Sequence, residues 1–185
     1  LRRKVSMNDP DRGIVTLEYD DVGNLVRTTD ARAQTTVLTY DDANRLVAED
    51  HLVHEGEPDD PVDVRWVYDV ASQEVDCGDG TTASATFTNA RIAAVSDGSG
   101  EEHFSYDARG NSVWTVKRIR DPQLGVLASY KTAFAYDVMD RLIDVYYPDN
   151  DHCHYSYNAA GLPERIDGGL GGQVVMTAAT YEPNG

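Results

Sequence analysis

The feature that most constrains the fold is a short motif that recurs along the chain. A tyrosine is followed by Asp or Asn six times, at Tyr19-Asp20, Tyr40-Asp41, Tyr68-Asp69, Tyr106-Asp107, Tyr136-Asp137 and Tyr157-Asn158. The first two copies lie 21 residues apart, as do the last two, and longer spacings separate the others. Self-similarity at such a period predicts a repeat array, in which each unit buries its surface only against its neighbours.

Each copy continues into a turn signal. Three residues after the Asp or Asn, most copies place a residue type that tolerates positive φ, namely Gly23, Asn44, Gly110, Asp140 and Gly161. The copy at Tyr68 has Ser72 there instead. We expect the Asp after the tyrosine to accept backbone N–H bonds at the turn entry. The pattern predicts a β-hairpin whose longer loop closes through a left-handed residue.

The residues before each tyrosine read as a strand. A large apolar side chain stands two positions earlier in every copy, at Leu17, Leu38, Trp66, Phe104, Phe134 and Tyr155. Positions i−2 and i share one face of a strand, so the tyrosines and these partners are predicted to pack together as the core rather than to do chemistry. Helical periodicity is nearly absent, apart from a possible short turn at 81–85, and the prediction is all-β.

Longer segments interrupt the regular spacing. The acidic, Pro-containing stretch 55–63 is predicted to be an exposed loop between strands. Residues 119–125 are predicted to form a lengthened turn, and the glycine-rich run 168–172 another loop. A degenerate copy at Asn89-Ala90-Arg91-Ile92, without a Tyr-Asp ahead of it, accounts for the longest gap.

The repeat resembles the unit of the Rhs or YD-repeat family, which runs aromatic-x-Tyr-Asp-x-x-Gly-Arg-Leu and then into a Pro-Asp-Gly-type turn. Residues 136–150 match it closely, with Asp140 and Asn150 where the family prefers Gly, and 29–35 resembles the second turn with Ala33 at the Gly position. The resemblance implies antiparallel β-hairpin repeats that form a curved sheet strip, part of an Rhs/YD-repeat shell. It covers essentially the whole chain, as one array segment of about six to seven hairpins over residues 1–185 without a separate second domain.

The same resemblance implies a function. In bacterial Rhs polymorphic toxins and Tc toxin complexes such shells enclose a C-terminal toxin, so this chain is expected to be a non-catalytic structural segment of a secreted or cell-surface bacterial protein. Its partners would be the rest of the shell and an enclosed C-terminal toxin or effector domain. The alternative, suggested by the teneurin branch, is an extracellular module that binds carbohydrate or protein. Such a face needs exposed aromatics flanked by polar groups, for which Trp114, Tyr146 and Tyr147 are the candidates.

Composition excludes two classes of partner. The 32 acidic residues outnumber the 16 basic ones and leave a net charge of −16. Binding to nucleic acid needs concentrated Lys and Arg, so a nucleic-acid partner is not expected. No apolar run approaches the 18 or so residues of a spanning helix, so membrane insertion by this segment is not expected either. The acidity favours solubility, with basic partners or divalent cations as the alternative.

No catalytic, cofactor or metal site is predicted. His152 and His154 share one strand face but lack an evident third ligand. The acidic runs 9–13 and 149–151 have calcium-like spacing over too few ligands, and turn capping explains them better, with weak calcium binding left as the alternative. Cys77 and Cys153 are predicted to be two separate thiols, and a single disulfide bridge is the alternative.

Overall fold

In the computed structural model of the chain, every regular element among the described residues is a β-strand. The structure describes residues 3–11, 13–52, 62–70, 74–121, 123, 125, 127–169, 174–176 and 178–182. The described strands are β1 (Ser6–Asp9), β2 (Gly13–Tyr19), β3 (Leu25–Thr29), β4 (Thr35–Tyr40), β5 (Leu46–Leu52), β6 (Val64–Tyr68), β7 (Glu74–Asp76), β8 (Thr82–Ser84), β9 (Ile92–Asp97), β10 (Gly100–Tyr106), β11 (Ser112–Arg120), β12 (Leu127–Tyr136), β13 (Leu142–Tyr146), β14 (His152–Tyr157), β15 (Pro163–Gly168) and β16 (Val174–Met176).

The strands follow one another in the sheet almost as they do in the sequence. Fourteen of them form one sheet in the order β1-β2-β3-β4-β5-β6-β9-β10-β11-β12-β13-β14-β15-β16, while β7 and β8 pair only with each other. The registered pairs are antiparallel, as short connections between sequence neighbours require. The predicted all-β fold of antiparallel hairpin repeats is therefore confirmed. The stretch 81–85 contains strand β8 rather than a helical turn.

A β-bulge accompanies the repeated tyrosine in five of the hairpins. The register shifts by one residue between Glu18 and Tyr19, between Thr39 and Tyr40, between Ser105 and Tyr106, between Ala135 and Tyr136, and between Ser156 and Tyr157. In each case the return strand carries one extra residue directly after the turn. Such a bulge bends the strand and increases its local twist. Because it recurs at the same position in these hairpins, it is a feature of the repeat rather than of any one copy.

The chain divides by its internal contacts into two compact units, Leu1–Val67 with Val95–Ser99, and Tyr68–Ala94 with Gly100–Gly185. The first unit contains the hairpins β1 to β5, joined by turns of the predicted kind. Its turn after β3 has Ala33 in the left-handed region at φ 64°, where the family prefers Gly. Most of the predicted loop 55–63 lies outside the described residues, as does most of the predicted glycine-rich loop 168–172.

The second unit contains a repeat turn that is split by an inserted hairpin. Asp69 N–H donates to Arg91 O at 3.4 Å, and Ala90 N–H donates to the Asp69 carboxylate at 2.6 Å. These residues complete one turn of the usual kind, with Ala90 as its left-handed residue at φ 59°. The prediction of two separate copies at Tyr68 and Asn89 is therefore wrong, because the β7–β8 hairpin interrupts a single repeat. Ser72, predicted at the turn position, lies outside the described residues.

The insertion builds a buried hydrophobic cluster against the sheet. Val75, Cys77 and Ala85 from the inserted segment pack with Trp114 and Val116 of β11, and none of the five is more than 9% exposed. They cover the sheet face on which Ser105 is completely buried and accepts a hydrogen bond from Thr86 N–H at 3.0 Å.

The predicted core was placed on the other face of the strands. There the repeated tyrosines and the apolar residues two positions before them are half-buried. On β10 and β11 the prediction placed the most deeply buried residues on the wrong face, because a second layer of chain covers the opposite face. On β13, Val145 is 5% exposed and lies opposite Phe134, on the predicted face.

Candidate functional site: the repeat turns

Two backbone hydrogen bonds close most of the repeat turns. In the copy after β12, Asp137 N–H donates to Arg141 O at 2.9 Å, and Asp140 N–H donates to Asp137 O at 3.1 Å. The same pair of bonds closes the turns that begin at Asp41, Asp107 and Asn158. The predicted left-handed residues are confirmed, with φ of 112° at Gly23, 58° at Asn44, 99° at Gly110, 61° at Asp140 and 80° at Gly161.

The side chain after each tyrosine organises its turn from within. One carboxylate oxygen of Asp107 accepts from the backbone N–H groups of Arg109, Gly110 and Asn111, at 2.8, 2.8 and 2.9 Å. Asn158, which replaces Asp in the last copy, uses its amide oxygen in the same way. An acceptor on a short side chain is therefore what the position requires, which explains why only Asp and Asn occur there.

These turn carboxylates are held in the ionised form. The backbone N–H and then the guanidinium of Arg141 lower the pKa of Asp137 below its ordinary value, and Arg45 acts in the same way on Asp41. Burial alone would raise the pKa of Asp20, and likewise that of Asp107, but hydrogen bonds from their own turns outweigh it and lower both. A general acid needs a raised pKa, so these groups are poorly suited to acid–base catalysis.

The residue after the left-handed position completes the turn from the side. Arg45 Nε donates to the second carboxylate oxygen of Asp41 at 2.8 Å, and Arg141 Nε donates to that of Asp137 at 2.7 Å. Asn24 bonds Asp20 in the same way, at 2.9 Å. Arg and Asn are thus equivalent within a turn, although their lengths differ.

The repeated tyrosines connect neighbouring hairpins. Tyr19, Tyr106 and Tyr157 donate their hydroxyl groups to backbone oxygens of the preceding hairpin, which belong to Lys4, Ile92 and Leu142 at 3.1, 3.0 and 2.6 Å. Sequence reasoning missed these bonds, because the acceptor is a carbonyl and leaves no signature in the side-chain pattern.

The other three repeated tyrosines, Tyr40, Tyr68 and Tyr136, are half-buried at the ends of their strands. Burial raises the pKa of Tyr136, and the charge of Asp107 in the preceding repeat adds to the shift. This residue therefore also lies against the turn before its own.

The aromatic residues considered for ligand binding separate into two groups. Trp114 is 9% exposed inside the core, so its assignment as a binding aromatic is wrong. Tyr146 and Tyr147 are 48% and 40% exposed, and they line a cleft of about 340 Å³. The turn of the inserted hairpin, including Asp79, and Lys131 of β12 also line it.

The two histidines of β14 share one carboxylate. His152 Nε2 and His154 Nδ1 lie 2.8 and 2.7 Å from the same oxygen of Asp144, and the ring of Tyr146 stacks on His152 with centroids 4.5 Å apart. Burial would raise the pKa of Asp144, but the two histidines outweigh it and lower the pKa. Asp144 was missed because it lies on the neighbouring strand, opposite His154.

The remaining candidate metal and redox residues have structural surroundings. A carboxylate oxygen of Asp9 accepts from Asp11 N–H at 2.9 Å, and one of Asp149 accepts from Asp151 N–H at 3.1 Å, so both acidic runs cap turns. Within the part of the chain that the structure describes, no three His, Cys, Asp or Glu side chains are placed to hold a metal ion. The two cysteines are free thiols.

Comparison with known proteins identifies the repeat and its fold. Residues 19–51 match the family model described as RHS Repeat. The whole chain is similar to the solved structure of TcdB2-TccC3-TEV, with a TM-score of 0.76 and 14% identity over 98% of this chain. It is similar to TcdB2-TccC3, at a TM-score of 0.77 and 14% identity over 96% of the chain.

A third similar structure is the Tc holotoxin pore of Photorhabdus luminescens, at a TM-score of 0.75 and 14% identity over 96% of this chain. This chain spans only 9% of the length of each of these structures. A search of curated proteins found no match to it. At this level of identity the structural likeness establishes a common fold. Among the described residues, no helix is long and apolar enough to cross a membrane.

Proposed function

We propose that this chain, which matches an RHS repeat model at residues 19–51 and has the fold of the Tc toxin structures, is a non-catalytic wall segment of an Rhs/YD-repeat shell that encloses a C-terminal toxin or effector. The observation that carries the proposal is the extent of the structural likeness. Nearly all of this chain superimposes on less than a tenth of a much longer Tc toxin chain. A repeat segment that matches a small part of a large assembly of the same repeats fits the role of one piece of its wall.

The use of the repeated polar groups supports a non-catalytic role. Turn carboxylates such as Asp107 and Asp137 accept hydrogen bonds from their own turns and have lowered pKa values. Tyrosine hydroxyls such as that of Tyr157 are bonded to backbone carbonyls. Groups that a reaction would need are therefore already engaged in holding the hairpins together.

The proposed partners follow from the same role. They are the flanking repeats of the same shell and the enclosed C-terminal domain, in a secreted or cell-surface bacterial protein. Residues 1–185 would form one array segment without a second domain. The net charge of −16 disfavours a nucleic-acid partner and suits a protein that must stay soluble outside the cell.

Limited proteolysis of the full-length gene product tests the proposal. An enclosed C-terminal domain should resist a protease that rapidly digests the same domain expressed alone. A Trp114→Ala variant, which opens the core under the inserted hairpin, provides a matched control and should lose part of the protection. Digestion of the C-terminal domain at the same rate in both contexts would contradict enclosure.

A second function is favoured by one observation, the exposed pair Tyr146 and Tyr147 beside a cleft with polar walls. Exposed aromatic rings next to Asp79 and Lys131 suit recognition of a carbohydrate or of a protein surface, because sugars stack on rings while their hydroxyls bond polar groups. Calorimetry with a panel of oligosaccharides tests this function. Loss of binding in a Tyr147→Ala variant would support this function. The control is Tyr181→Ala, which alters another exposed tyrosine and should leave binding unchanged. Absence of binding to the panel would count against the carbohydrate form.

A further inference from the structure

In four of the copies, the residue that follows the left-handed turn residue also contacts the turn of the next repeat. We name this position the coupling residue; it is Asn24, Arg45, Arg91, Asn111 or Arg141 in the successive copies. Arg3 holds the equivalent position ahead of β2. The backbone oxygen of the next residue, Lys4, accepts the hydroxyl of Tyr19, just as the residues after Arg91 and Arg141 accept the hydroxyls of Tyr106 and Tyr157. The last copy of the motif in the sequence has Leu162 at this position, and the others have Arg or Asn.

Arginine couples through the ring of the next tyrosine. The guanidinium carbons of Arg3, Arg91 and Arg141 lie 5.6, 5.4 and 4.6 Å from the ring centroids of Tyr19, Tyr106 and Tyr157. These distances are those of cation–π contacts.

The left-handed residue beside each of these three arginines is glycine. A Cβ on Gly23 would lie 2.3 Å from the guanidinium of Arg3, and one on Gly110 would lie 2.7 Å from that of Arg91. At Gly161 the nearest atom is Arg141 Nη1, at 3.7 Å from the same hypothetical Cβ. In the first two cases the guanidinium therefore occupies the space that a Cβ would need, whereas at Gly161 it lies at ordinary van der Waals distance.

Asparagine couples through a side-chain hydrogen bond. Asn24 Nδ2 donates to Asn44 Oδ1 at 3.0 Å, and Asn111 Nδ2 donates to a carboxylate oxygen of Asp140 at 2.7 Å. In both copies the left-handed residue carries the acceptor. Asn is too short to lie over a ring as Arg does, and it bonds the turn of the next repeat through this acceptor instead.

We propose that the coupling residue of one repeat specifies the left-handed residue of the next, so that it determines which repeats can be neighbours. Arginine requires a left-handed residue without a polar side chain, and asparagine requires Asn or Asp there. After Arg45 the next left-handed residue in the sequence is Ala90, which has no polar side chain, so the rule for arginine excludes an acceptor but does not demand glycine. The rule concerns the pairing of repeats within this chain and does not depend on what the shell encloses.

A double-mutant cycle at the first asparagine couple tests the rule. Asn24→Arg, Asn44→Gly and the double variant are compared with the unchanged chain by urea unfolding. The bond from position 24 to its own Asp20 is retained, because Arg45 makes the equivalent bond to Asp41. Each single variant should be less stable than the unchanged chain. The double variant should be more stable than the sum of the two single losses predicts, by at least about fivefold in the unfolding equilibrium constant, which is about 1 kcal/mol.

Two further cycles make the result decisive. Asn24→Arg combined with Asp140→Gly joins positions from different couples, and these changes should be additive. The reverse conversion, Arg141→Asn with Gly161→Asn, should again show favourable coupling, and it decides the matter if Asn24→Arg prevents folding. The proposal would be overturned if the changes were additive in both cycles between neighbouring repeats, or if the mismatched pair showed the same coupling as the neighbouring pairs.

Discussion

Removing the hydroxyl of Tyr157 tests how the repeats are held together. This hydroxyl donates to Leu142 O at 2.6 Å across two neighbouring hairpins, and Arg141 lies over the ring at 4.6 Å. Tyr157→Phe keeps the ring and its contact with Arg141, and it removes only the hydrogen bond. A typical net hydrogen bond contributes about 0.5–1.5 kcal/mol, so the free energy of unfolding should fall by about 1 kcal/mol.

Tyr157→Ala removes the ring as well. The ring is half-buried, so about 100 Å² of apolar surface is lost from the contact, which at ~25 cal/mol per Å² is about 2.5 kcal/mol. Together with the hydrogen bond the expected loss is about 3.5 kcal/mol. The difference between the two variants therefore separates the bond from the ring.

Urea unfolding followed by circular dichroism measures both losses. Tyr130→Phe is the matched control, since that side chain is 46% exposed and its change should stay within about 0.5 kcal/mol. The reasoning fails if Tyr157→Phe has no more effect than Tyr130→Phe, or if Tyr157→Ala costs no more than Tyr157→Phe.

Three further predictions concern the core, the turns and the thiols. Trp114→Ala should lower the free energy of unfolding by about 3–5 kcal/mol, as truncation of a buried aromatic does, and a loss below about 1 kcal/mol on urea titration would contradict its place in the core. Asp41 and Asp137 have pKa values below 3.8 when folded, owing first to backbone N–H bonds from four residues on, so the stability they confer is present above pH 3.8 and is lost as pH falls through the lower folded values. The urea midpoint of unfolding should therefore decrease as the pH is lowered from 5 to 2, and Asp137→Asn should make this decrease smaller. A pH profile that Asp137→Asn leaves unchanged would contradict the prediction. Cys153 should react with a thiol reagent before Cys77, which is 3% exposed, and equal rates in the folded chain would be inconsistent with that burial.

The local chemistry of the repeat could be predicted from the sequence. Positive φ at Asn44, Asp140 and Gly161 follows from residue type and position within a short loop. The Asp acceptor after each tyrosine, as at Asp107, follows from the same local rule. These features depend on about five consecutive residues, so no long-range information was needed to find them.

Features that depend on distant contacts could not be predicted in the same way. Asp69 closes its turn with Ala90, 21 residues further along, and nothing in either half shows that a hairpin has been inserted between them. The buried face was misassigned for the same reason, because the layer that covers Ser105 comes from the insertion. The carboxylate shared by His152 and His154 depends on the register of β13 against β14, which local sequence rules do not determine.

The coupling rule lies between these cases. Its residues are visible in the sequence, as Arg followed one repeat later by Gly or Ala, and Asn followed by Asn or Asp. Its physical cause requires the structure, which places the guanidinium of Arg91 beside Gly110 and joins Asn111 to Asp140 by a hydrogen bond. A search for correlated positions one repeat apart would have found it before the structure was known.

The central claim is that this segment forms part of the wall of an enclosing shell. Electron cryomicroscopy of the full-length gene product tests it most directly. The account predicts a hollow shell in which strands β1 to β6 and β9 to β16 form consecutive strands of the wall, with density for the C-terminal domain inside. An array of repeats that is solid or open rather than hollow, with the C-terminal domain outside it, would contradict the claim.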